Sequence, residues 1–66
     1  MGDVGKIIEY VSTSNKSFDD AIRKAVEKFA KSENDIRGID IIKMTARIEG
    51  KRIKEYRVNV KLSAEA

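Results

Sequence analysis

From Phe18 onward, apolar residues recur at Phe18, Ala21, Ile22, Ala25, Val26, Phe29 and Ala30. Steps of three and four place them along one side of an α-helix. Ser17 precedes this stripe and Asp20 follows three residues later, the form of a capping box in which hydroxyl and carboxylate satisfy orphan amides. Asp19 and Asp20 in the first turn, with Lys28 and Lys31 in the last, complement the helix dipole. Ser32-Glu33-Asn34-Asp35 ends the segment. Three alanines in the stripe allow close approach of a second layer, and a sheet is the expected partner.

The rest of the chain has period two. Lys6-Ile7-Ile8-Glu9-Tyr10-Val11 is short, β-branched and aromatic, which predicts a strand, and the polar run Ser12-Thr13-Ser14-Asn15-Lys16-Ser17 predicts a turn and cap. Further on, Asp40, Ile42, Met44, Ala46 and Ile48 alternate with Ile41, Lys43, Thr45, Arg47 and Glu49. Then Tyr56, Val58, Val60, Leu62 and Ala64 alternate with Glu55, Arg57, Asn59, Lys61 and Ser63. Each pattern gives a strand with one buried and one wetter face. Glu49-Gly50-Lys51-Arg52 supplies the hairpin turn between them, with Gly50 free to take positive φ. The order is therefore β-α-β-β, an α+β fold. Placing the third strand centrally makes every pairing antiparallel, so the expected sheet order is 2-3-1, wrapped on one helix. Two open edges and an uncovered face remain, which favours assembly.

Size sharpens that expectation. Sixty-six residues make a single domain (1–66) whose core alone is marginal, because a chain this short buries only about 60% of its unfolded surface. The chain has no Cys and no His, which removes disulfides, thiolate or imidazole metal sites, and Cys-His or Ser-His-Asp nucleophiles. What remains is self-association or a monomer near its stability limit, and the composition points to a binding or assembling module rather than an enzyme. No apolar run approaches the roughly 18 residues of a membrane span. Met1-Gly2-Asp3-Val4-Gly5-Lys6 opens without an apolar signal stretch, so a cytoplasmic location is expected.

Charge is unevenly placed. Of the net +3, residues 36–66 carry +4, from eight basic and four acidic residues. Lys43, Arg47, Arg57 and Lys61 fall on the polar face of the hairpin with Thr45 and Asn59 near them. This strip is a candidate anion site for a phosphate or nucleotide ligand. It serves equally as a solvated or subunit-facing surface where Glu49 and Glu55 pair with the basic residues. Nucleic acid is not the expected partner: the charge is modest, no Gly-rich phosphate loop is present, and of Tyr10, Tyr56, Phe18 and Phe29 all but Tyr10 fall on predicted core faces. Asp19-Asp20 and Glu33 with Asp35 lack the spacing of a calcium loop.

Several strings in this order resemble the dodecin family. They are Val11-Ser12-Thr13-Ser14 closing the first strand, Ser17-Phe18 opening a helix with Ala21, Ala25 and Val26, and Asp35-Ile36-Arg37 before the second strand. Gly50-Lys51 at the hairpin and Glu55-Tyr56-Arg57-Val58-Asn59-Val60-Lys61 in the third strand complete the set, which runs from Lys6 to about Ser63. The resemblance implies a hollow homododecamer of cubic symmetry and non-catalytic storage of flavins such as FMN or riboflavin, with coenzyme A bound in some members.

Two positions depart from the flavin-binding pattern. Where such relatives stack a Trp on the flavin ring this chain has Gly38, and where they place a ring-bonding Gln it has Arg57. Flavin binding is expected to be weakened or lost, since Arg donates but cannot accept. Charge placement together with the resemblance gives Arg37, Gly38, Lys43, Arg47 and Arg57 as candidate ligand residues, favouring an anionic group such as the phosphate of FMN or coenzyme A. The alternative is a structural homo-oligomeric shell without flavin, with room for a cation such as calcium.

Overall fold

The computed structural model describes residues 5–33 and 35–65; the N-terminal reading over Met1 to Val4 and the part of Asn34 in ending the helix lie outside the described residues. The elements run β1 (Lys6–Ser14), α1 (Phe18–Ala30), β2 (Ile36–Glu49) and β3 (Arg52–Ala64). The sheet is antiparallel in the order β1-β3-β2, so the strand that opposes both others lies centrally, as the alternation implied. Gly50 takes φ 65°, and Glu49 pairs with Arg52 across a two-residue loop. A positive φ at the first central position is what a tight type II′ hairpin asks of its glycine.

Helix α1 packs on β1 and β3. Ala21, Ala25 and Phe29 are buried from the helix, and Val58, Val60, Leu62 and Ala64 from β3. Burying a side chain the size of Val58, Val60, Leu62 or Phe29 contributes about 1.5–3 kcal/mol each. Phe18 and Ile22 flank this centre, while Ala30 at the end of the stripe is exposed. Edge-to-face aromatic pairs close both ends of the helix, Phe18 on Tyr56 at 5.0 Å and Phe29 on Tyr10 at 6.2 Å. Tyr10 therefore points into the core, contrary to the expectation from the chain pattern: it is the cross-strand partner of Val60 and shares its face.

Two further expectations need correction. Ser12, Thr13 and Ser14 belong to β1, as the resemblance implied and against the reading of the polar run, because pairing with Val58, Arg57 and Tyr56 of β3 outweighs their turn preference; the connection is only Asn15 to Ser17. And β2 does not keep one phase. Ile41 pairs with Val60 and Lys43 with Asn59, which leaves Ile42 as an extra residue in a bulge. Asp40, opposite Lys61, therefore lies on the outer face, and Ile41 on the helix side with Met44.

The capping box forms by a relay. Ser17 Oγ accepts from the Asp20 amide at 2.9 Å, but the Asp20 carboxylate does not reach back to the Ser17 amide. It accepts instead from Ser14 Oγ at 2.6 Å, and that hydroxyl in turn accepts from the amides of Lys16 at 2.9 Å and Ser17 at 3.4 Å. Asp is one methylene shorter than the Glu of the usual box, and a buried serine on β1 bridges the gap. Arg23 donates to the other Asp20 oxygen at 3.0 Å. The Ser14 hydroxyl first, then Arg23, hold the Asp20 carboxyl below the ordinary carboxylate range. At the opposite end Lys6 Nζ donates to Glu33 at 2.7 Å, tying β1 to the end of the helix; that bond raises the Lys6 pKa.

Candidate functional site

The face of the sheet turned away from the helix carries the candidate chemistry. Cross-strand partners share a face, so the register sorts it into rows. At one end Gly38, Ser63 and Ile7 align, followed by Asp40, Lys61 and Glu9. Next come Lys43, Asn59 and Val11, then Thr45, Arg57 and Thr13, and finally Arg47 with Glu55.

Charge along these rows is not uniform. Lys61 stands between Glu9 and Asp40, so its row is acidic overall. Arg47 lies 3.9 Å from Glu55. Among the described residues, Lys43 and Arg57 have no carboxylate oxygen within 4.0 Å of their nitrogens. They are diagonal neighbours on β2 and β3, with backbones about 7–8 Å apart, near enough for both long side chains to meet one anion. With Val11, Thr45 and Asn59 they line an open concavity of about 290 Å³, at the lower end of the volumes that hold small ligands.

The candidate residues read from the sequence do not all meet. Lys43 and Arg57 share the central concavity, and Arg47 adjoins Arg57 in a second depression with Thr45, Ala46 and Glu55. Gly38 lies on the same face but pairs with Ser63, six residues from Arg57 along β3, about 20 Å away. Arg37 occupies the bulge between Ile36 and Gly38, held by Asp35 at 3.2 Å and Glu65 at 3.8 Å. Within one protomer these two belong to the far end of the sheet. Val11 was not among the candidates. Extending the alternation of β1 through Glu9, Val11 and Thr13 would have placed it on this face.

Gly38 leaves the outer face bare at its row. A Cβ built there would meet only Ser63 Oγ at 3.5 Å, an ordinary contact, and its φ is not positive, so a side chain fits. Among the described residues no three acidic side chains converge. Nor, among them, is any helix long and apolar enough to cross a membrane.

A family model described as Dodecin matches residues 4–65. Among solved structures, an arginine-to-alanine mutant of the Thermus thermophilus dodecin superposes with a TM-score of 0.89 at 25% identity, covering 98% of this chain and 97% of that one. The calcium dodecin of Mycobacterium tuberculosis, described as a calcium chelating immunodominant antigen, gives 0.81 at 28% identity over 96% and 90%. The dodecin of Streptomyces coelicolor, 22% identical, shares the fold with a TM-score of 0.87 over 97% and 91%. No curated protein sequence matches the chain.

Proposed function

Since this chain belongs to the dodecin family, we propose that it is a non-catalytic small-ligand binding and storage protein that works as a self-assembled homododecamer. The observation that carries the binding reading is the outer-face concavity with its two uncompensated cations, Lys43 and Arg57. Self-assembly has separate support. Ile41, Met44, Ile48 and Ile53 stand exposed on the helix-side face where α1 does not cover it, and Ile7 on the other face, more apolar surface than a small soluble monomer normally leaves in water.

The ligand class follows from what the face offers. A flavin ring finds no stacking partner at Gly38, a loss of about 1–3 kcal/mol on the scale of base–aromatic stacking. Arg57 supplies donors only, which suits a phosphate-bearing ligand, FMN or coenzyme A among them, better than riboflavin. The second reading, a flavin-free shell holding a cation such as calcium, draws on the similarity to the calcium dodecin. Among the described residues no three acids converge, so this reading takes the form of a site completed between copies.

Native mass spectrometry reports subunit number and retained ligand together. Twelve subunits are expected, with little riboflavin retained. The Gly38→Trp, Arg57→Gln double variant is expected to quench added riboflavin fluorescence with about 10-fold or greater gain in affinity. A monomer of 7.4 kDa at micromolar concentration would overturn the assembly reading, and tight riboflavin binding by the unaltered chain would overturn the ligand reading.

A further inference from the structure

We infer that the Lys43–Arg57 concavity selects a phosphate monoester in its dianionic form, with the organic body of the ligand lying over Val11 rather than toward Gly38. The inference rests on the ligand-binding reading above and narrows it to a chemical class and an orientation. Two cations on diagonal positions of neighbouring strands line one concavity, and the guanidinium of Arg57 is a fork that matches two oxygens of one phosphate. Thr45 and Asn59 in the same concavity add a hydroxyl and an amide for the remaining oxygens.

The neighbouring rows set the direction and the limit. On one side Glu9 and Asp40 flank Lys61, so a second anionic group placed there meets net negative charge. On the other, Glu55 is engaged by Arg47 and the row is neutral. One anionic group is therefore accommodated, and a charge-matched one is doubly negative. Val11 is 60% exposed and is the apolar residue among those that line the concavity, and a small hydrocarbon or ring gains by covering it. The volume of about 290 Å³ holds a phosphate with a compact organic group, or that portion of a larger ligand.

Isothermal titration calorimetry on the assembled full chain tests this with phenyl phosphate as probe and diphenyl phosphate and riboflavin as comparators. Phenyl phosphate is expected to bind more tightly than the diester, which carries a single charge. Its affinity should fall as pH is lowered from 7.5 to 5, because a phosphate monoester takes up its second proton near pH 6. Lys43→Gln and Arg57→Gln, both at exposed strand positions, should each weaken it about 10-fold or more with the fold intact by circular dichroism. Binding that ignores both substitutions, or that favours the diester, overturns the inference. Riboflavin binding without phenyl phosphate binding overturns it too, yet leaves a dodecin-type ligand protein standing. If neither compound binds, the ligand-binding reading falls with it.

Discussion

Both halves of the β2–β3 hairpin turn apolar side chains to the helix-side face, yet the two halves live in different environments. From Val58 to Ala64 every second residue of β3 is buried, whereas at the tip Ile48 and Ile53 pair across the strands and remain 59% and 46% exposed. The difference is one of reach. A 13-residue helix spans about 20 Å and a 13-residue strand about 44 Å, so α1 covers roughly half of the hairpin it packs on. The molecule measures 52 × 19 × 12 Å, and its uncovered arm has apolar residues patterned for a partner that one protomer does not supply. Alternation specifies which face wants burial; the length of the covering element decides how much is buried within the chain.

Truncations on the two halves test that contrast, and they carry the largest effects. Leu62→Ala in the covered half opens a cavity under the helix and should cost about 2–5 kcal/mol at any protein concentration. Ile53→Ala on the arm should leave the intrinsic stability of the protomer within about 0.5 kcal/mol. Its urea midpoint should instead depend on protein concentration, because stability gained from association follows mass action. Equal, concentration-independent losses in the two variants would show that the arm is covered within one chain and would remove the contrast.

Much of the covered half was legible in the sequence. The three-and-four stripe gave α1 its span, and the central place of β3 followed from antiparallel pairing and its unbroken pattern. Lys43 and Arg57 fell on one face by alternation alone. What stayed hidden depends on register. Ile42 looks like a core residue in a period-two reading, and only the pairing of Ile41 with Val60 and Lys43 with Asn59 exposes the bulge that turns Asp40 outward. Lys61 counts as one more cation until β1 and β2 set Glu9 and Asp40 on either side of it. Ser12 to Ser14 have turn chemistry, and their strand conformation is imposed by β3. Separation along the strand likewise could not be read from residue type, so Gly38 and Arg37 joined a site whose centre lies about 17 Å away.

A smaller effect is expected at the junction of β1 and α1, which the covered half has and the arm lacks. Ser14 is buried, and its hydroxyl serves two amides and one carboxylate. Ser14→Ala leaves those groups without their partner, at a cost of about 1–3 kcal/mol measured by urea denaturation at pH 7. The loss should be the same at low and high protein concentration, unlike that of Ile53→Ala.

The smallest predicted effect is a pH dependence at that junction. Asp20 titrates below the ordinary carboxylate range in the folded chain, chiefly because Ser14 donates to its charged form and then because Arg23 does. A carboxyl whose folded pKa is lowered contributes stability that is fully present above its unfolded pKa, about 3.9, and is lost as pH falls through the folded value. The unaltered chain should therefore lose stability between about pH 5 and pH 2 in part through Asp20. Ser14→Ala removes the larger cause of the lowering, so its acid limb should be flatter. The gap in urea midpoint between the two proteins should be widest at pH 7 and narrow as the pH falls. Ile53→Ala, which removes no partner of Asp20, should run parallel to the unaltered chain over the same range. Parallel curves for Ser14→Ala would mean that the hydroxyl contributes through packing and amide capping alone, with Asp20 holding its charge by Arg23 and Lys24.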